Sequence, residues 1–181
     1  MKSIIHVPHD VLTTPTEKIT TFDKKLALLI ADLKKTLLAT IHPKGVGLAA
    51  PQIGVSSCVF VTKPRENSPV RVFINPEILE SSPELTDGVP ERENKLEGCL
   101  SIPGIWGRVK RAQKITLRYR DESGTSHEEK FTGFLATIIQ HEADHLNGIL
   151  YTRRVLEQQG KLYQTAKDTE GKEILEELSL P

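Results

Sequence analysis

Residues 140–148 read Gln-His-Glu-Ala-Asp-His-Leu-Asn-Gly. No other stretch restricts the fold so much. On a helix, positions i and i+4 share a face, so His141 and His145 can offer two imidazoles to one metal ion. Glu142 lies about 100° round the helix from His141, in reach of a water beside that ion. The stretch before it is apolar at helical spacing: Phe134 and Ile138 lead into His141 and His145, with Leu135, Ile139 and Leu146 alongside. That pattern predicts a buried helix, and Gly148 follows as its terminator. Two core histidines four apart are the plainer alternative. The glutamate in place and the apolar face both count against it.

A His-Glu-x-x-His pair needs a third ligand to make a catalytic site. The longest form of the motif ends in a further histidine after Gly-x-x, but here that position is Tyr151. Glu157, Glu170 and Glu173 follow in a polar stretch with no apolar helix to carry them inward. The third ligand is therefore expected upstream. Glu-Gly-Cys-Leu-Ser at 97–101 puts Cys99 in an apolar turn bounded by glycine and proline. Cys99, His141 and His145 would leave a fourth tetrahedral position open, the arrangement of a catalytic site. Asp144 is a candidate to accept the second N–H of a ligand histidine.

A third segment, Gly-Val-Gly-Leu-Ala-Ala-Pro-Gln-Ile-Gly at 45–54, precedes these two. Gly45 and Gly47 allow positive φ or close approach to a ligand. Gln52 sits between Pro51 and Ile53, a costly place for an amide without a partner. Taken in this order, Gly-x-Gly-Leu-Ala-Ala-Pro-Gln-Ile-Gly, Glu-Gly-Cys-Leu-Ser and Gln-His-Glu-x-Asp-His, the three segments resemble the motifs of the peptide deformylases. The likeness runs from an N-terminal Ile-x-x-Pro segment to about Tyr151. It implies a metal-dependent hydrolase that removes the formyl group from the N-terminal formylmethionine of new polypeptides and releases formate. It implies Glu142 as general acid and base, with the Gln52 amide and the Leu100 N–H on the oxyanion. Val46, Phe134, Ile138 and Leu100 would line a methionine pocket, and Gly45 and Gly47 would hold the peptide extended. One divalent metal is implied, ferrous iron on the family's pattern, with zinc, nickel or cobalt as alternatives. Nascent N-formylmethionyl polypeptides are the implied partners, with the ribosome as the place of encounter. An endopeptidase using the same ligands and a non-catalytic metal-binding relative are the other readings. Formate release against casein cleavage separates them.

The resemblance and the pattern together give an α+β fold. Antiparallel or mixed sheets pack around a central helix carrying the motif, with an N-terminal helix added. Residues 1–181 are expected as a single catalytic domain, with a core of about 1–151 and a charged tail at 152–181. Within that tail, Ile174, Leu175 and Leu178 suggest a short amphipathic helix. Residues 23–41 alternate apolar and charged positions at helical spacing, capped by Thr21 or Asp23 and ended by His42-Pro43. Residues 55–62 and 70–75 read as strands, 80–96 as loop or irregular strand, and 114–120 with 125–131 as a hairpin. Cys58 belongs to a strand core, His127 is expected exposed, and Trp106 covers either core or cleft rim.

The 24 basic and 24 acidic residues balance, so no bulk attraction to nucleic acid or anionic membrane is expected. No apolar run nears the ~20 residues of a membrane span, and no signal-peptide core is present. Two cysteines, one assigned to metal, fit a cytoplasmic, bacterial-type protein. An organelle location stays open.

Overall fold

The structure is a computed structural model and describes residues 2–41 and 43–179. Nine strands form two antiparallel sheets among the described residues. The first sheet joins β1 (Gly47–Ala49), β2 (Val59–Thr62), β3 (Arg71–Ser81), β6 (Lys114–Arg120) and β7 (Ser126–Thr132) in that order. The second joins β4 (Glu97–Cys99), β5 (Ile102–Gly107), β8 (Leu162–Lys167) and β9 (Glu173–Glu177). Helix α1 is Lys24–Ala39, α2 is Gly133–Leu146, and α3 is Tyr151–Glu157.

Alternation along the strands decides which helix each residue meets. Phe60 on β2 and Phe73 on β3 point to one side, where they pack with Ala136, Ile139 and Leu146 of α2. Val59, Val61, Val72 and Ile74 point to the other, against Leu26, Ile30, Leu33 and Leu37 of α1. The strands in the middle of this sheet are covered on both faces, which is why β2 is an unbroken apolar run. Each fully buried side chain of this kind stabilises the fold by ~1.5–3 kcal/mol. Ile115, Leu117 and Tyr119 on β6 are buried as their alternation predicts. Cys58 joins the same core.

The Asp23 side chain caps α1 by accepting from Leu26 N at 2.9 Å. The helix stops at Ala39, where Thr40 turns extended; of the expected terminator pair, His42 lies outside the described residues. Helix α2 is buried round most of its circumference. Gly148 ends it at φ 68°, with its N–H donating to His145 O. A Cβ at this glycine would lie 2.7 Å from the Thr13 backbone, so conformation and space both require glycine.

Two expectations need correction. The charged tail expected at 152–181 is folded: Tyr151–Glu157 is helix α3, with Tyr151 and Val155 buried, and residues 162–177 hold no helix. They form the β8–β9 hairpin, which extends the second sheet from β5. Ile174 and Leu175 lie on a strand, and Leu178 packs beside Leu162, Tyr151 and Val155. The turn signal was present at 168–171: Asp168 Oδ1 accepts from the Glu170 and Lys172 N–H groups, and Gly171 has φ 80°. A spacing of one, then three, fits helix and hairpin equally when only three apolar residues mark it. His127, expected exposed, is only half-exposed. It pairs with Asp121 at 2.7 Å and stacks on Tyr119.

Candidate metal centre and active site

Helix α2 brings His141 and His145 to the end of strand β4, where Cys99 sits. The ligand atoms of Cys99, His141 and His145 lie within 4.8 Å of one another. Cys99 Sγ and His145 Nε2 are 3.2 Å apart. His141 directs Nδ1 at Glu97 Oε1, 2.6 Å away, which leaves Nε2 for a metal. Thiolate and imidazole nitrogens suit a borderline transition metal with a position to spare.

Electrostatics prepare the cluster for a cation. Burial holds the His145 imidazole well below the usual histidine range, so it stays neutral with a free lone pair. For His141, burial opposes protonation, but Glu97 and Cys99 outweigh it and raise the affinity for positive charge. Burial would push the Glu97 carboxyl up, and Arg111 with His141 overcomes it, so Glu97 lies well below the ordinary carboxylate range.

Arg111 holds this arrangement from behind. It grips Glu97 through Nε and Nη2 at 2.9 and 2.7 Å, and reaches Asp144 Oδ2 through Nη1 at 3.0 Å. Arg154 Nη2 binds the other Asp144 oxygen at 2.7 Å. The sequence-based role of Asp144 is therefore corrected: it orients arginines and not a ligand histidine. Glu97 is the carboxylate on the histidine. The missed signal was spacing, because Glu97 and Cys99 stand two apart on a strand and so share a face.

Glu142 is buried beside the cluster, and its Oε2 has no partner among the described residues. Burial pushes its carboxyl up to about 7, where a group can both take and give a proton near neutrality. Gly47 makes room for it: a Cβ there would lie 2.2 Å from Glu142 Oε1. Gly45 is pressed between Leu37 and Leu100 in the same way. Neither glycine has positive φ, so their role is close packing and not turn geometry.

The Gln52 amide found its partners. It is 1% exposed, with Oε1 accepting from Ala49 N at 2.8 Å. That bond fixes the flip and turns Nε2–H toward Cys99 Sγ at 3.4 Å and Ser101 Oγ at 3.3 Å. The N-terminal segment braces both parts, with Ile5 N–H donating to Gln52 O at 2.8 Å and Val7 N–H to Ser101 O at 3.1 Å. A cavity of about 740 Å³ opens in front. Gly45, Val46, Gly47, Leu100, Phe134 and Ile138 line it with Gln52, Cys99, His141 and Glu142. Trp106 lines its rim, which settles the choice left open by the sequence. Every candidate site residue is thus at this cavity, with His145 directly behind it.

Three atoms able to hold a metal ion, a buried carboxylate with one oxygen unpartnered and a fixed amide donor around one small space suit water attack on an amide. The class is that of the metal-dependent hydrolases. The family model for polypeptide deformylases matches residues 1–161. Peptide deformylase 1 of Bacillus cereus is 43% identical over 84% of this chain and 90% of its own. A peptide deformylase of Leptospira biflexa is 36% identical over 95% of this chain and 97% of its own. The crystal structure of peptide deformylase from Thermotoga maritima superposes with a TM-score of 0.76 at 37% identity, over 85% of this chain and 97% of that one. The chain belongs to the polypeptide deformylase family.

Proposed function

We propose that the cavity hydrolyses the formyl amide of N-formylmethionyl polypeptides, with the unpartnered Glu142 carboxylate beside the Cys99, His141 and His145 cluster as the observation that carries the reading. A metal ion held by those three residues would polarise the formyl carbonyl and acidify water. Glu142 takes a proton from the attacking water and returns it to the departing amine nitrogen. The Gln52 Nε2–H and the Leu100 N–H donate to the oxygen that gains charge. The formyl group is small enough to reach the depth of the ligands. Val46, Phe134, Ile138 and Leu100 receive the unbranched methionine side chain, while the Gly45–Gly47 backbone keeps the peptide extended. Within the family, a peptide deformylase of Acinetobacter baumannii, 33% identical, has been crystallised with Met-Ala-Ser bound, which supports a peptide beginning in methionine. Formate release from formyl-Met-Ala-Ser is the test. Casein cleavage without formate would favour the endopeptidase instead.

Gln52→Leu tests the oxyanion role. It should lower kcat by roughly 10²–10³-fold with little change in KM. A change confined to KM would make Gln52 a binding group only.

The native ion in this reading is ferrous iron. A thiolate beside a redox-active ion is open to oxidation along the sulfenic and sulfinic series. Activity should therefore decay in air, more slowly with nickel in place of iron. Mass spectrometry should place the added oxygen on the Cys99 peptide and not on that of Cys58, which is buried. Oxidation at Cys58 alone would take Cys99 out of the ligand set. The substrates arise at the ribosome, so the working place proposed is the cytoplasm. The balanced charge and the two free cysteines fit it. Among the described residues no helix is long and apolar enough to cross a membrane.

A further inference from the structure

The cavity does not end with the methionine pocket. Its polar rim is built where three segments meet: Arg92 from the loop before β4, Trp106 on β5, and Thr165 and Glu173 on the β8–β9 hairpin. The hairpin lies past the residues matched by the family model. Trp106 fixes the meeting point. Its Nε1–H donates to Thr165 Oγ1 at 2.9 Å. Its ring lies so close to Gly98 that a Cβ there would be 2.7 Å from it. The Arg92 guanidinium sits over the indole, 5.4 Å from its centroid, and donates one bond to Leu96 O at 3.1 Å.

Arg92 differs from the other shielded arginines. Among the described residues four arginines are buried or half-buried: Arg71, Arg92, Arg111 and Arg154. Arg71 pairs with Glu129, Arg111 with Glu97 and Asp144, and Arg154 with Asp144. Arg92 has no carboxylate partner among the described residues. Burial draws its pKa below the ordinary arginine value, whereas the other three lie above it. Arg92 feels Glu97 only through space, and that carboxylate is already held by Arg111 and His141, so the burial of Arg92 is not offset and is costly. A ligand that brings an anion into direct contact with Arg92 recovers that cost. The rim also holds Glu173, but this residue is exposed, so water screens its charge more than that of Arg92.

We propose that Arg92, stacked on Trp106, is a specificity-determining residue that binds a carboxylate carried by the substrate downstream of its formylmethionine. The carboxylate is either an acidic side chain or the free C-terminus of a short formylated peptide. The inference rests on the deformylase reading for its substrate and on the rim geometry for its chemistry.

The test compares four peptides on the metal-loaded enzyme: formyl-Met-Ala-Asp, -Asn and -Lys as C-terminal amides, and formyl-Met-Ala-Asn as the free acid. The expected gain in kcat/KM over the Asn amide is about tenfold, the size of one charge-assisted hydrogen bond. A gain with the Asp amide assigns the site to acidic side chains, and a gain with the free acid alone assigns it to the peptide terminus. Arg92→Gln should bring the ratio close to one, and Arg92→Lys should restore part of it. No gain in either arm, a gain that survives Arg92→Gln, or a preference for the Lys amide would overturn the proposal. A second readout does not need turnover. The chain has one tryptophan, so emission reports Trp106 alone. Met-Ala-Asp amide should shift it at lower concentration than Met-Ala-Asn amide, and Arg92→Gln should erase the difference. If no peptide yields formate, the deformylase reading fails, and this titration still decides the fate of the rim site.

Discussion

Glu142→Gln should retain the metal and lose turnover by ~10²–10⁴-fold, the usual contribution of a positioned acid–base group. The substitution keeps size and shape, so the contact with Gly47 survives. What it removes is the ability of a buried oxygen to hold and release a proton. Metal content and kcat measured on the same sample decide the matter. Loss of metal would make Glu142 a ligand. Unchanged turnover would leave the proton to another group.

Arg111→Met is expected to have the next largest effect, and on stability before activity. Arg111 is 6% exposed and carries two carboxylates. Methionine fills much of the space but leaves Glu97 buried without its main partner. Removing one member of a buried ion pair typically costs ~3–5 kcal/mol, so the denaturant midpoint should fall sharply. Glu97 also orients His141, and losing such support typically weakens metal binding ~10–100-fold. A variant as stable as the parent, with metal held as tightly, would show that the network is incidental.

How far the site was legible in the sequence follows from the kind of signal each residue leaves. His141, Glu142 and His145 declare themselves because one helix carries them at a fixed period. Cys99 ends a three-residue strand and Gln52 sits in a single short helical turn, elements too brief for a periodic signal, and only the company of the other motifs distinguished them. Glu97 left only its spacing of two from Cys99, and Arg111 and Arg154 left no mark. Charged residues are ordinarily read as surface, and only tertiary packing shows these three shielded around Asp144. Helices α1 and α2 and the β6–β7 hairpin were legible from periodicity, whereas α3 lay inside a stretch read as a charged tail. Strand β3 runs on to Ser81 although Pro76 lies within it, and a register shift between Ile74 and Glu77 absorbs the proline. The β8–β9 hairpin was missed because few of its residues are apolar, its outer strand being mostly exposed.

The three proposed ligands come from two places that the chain brings together late. Cys99 belongs to the second sheet, while His141 and His145 ride on a helix packed against the first. An ion shared among them would cross-link the two sheets, closing the loop of chain that runs from β4 to α2. Its binding free energy then enters the stability of the assembled sheets through mass action. Occupancy and sheet docking become one equilibrium seen from two sides. Chelation should therefore loosen the second sheet and lower the melting temperature, with the first sheet and its two helices the last to yield.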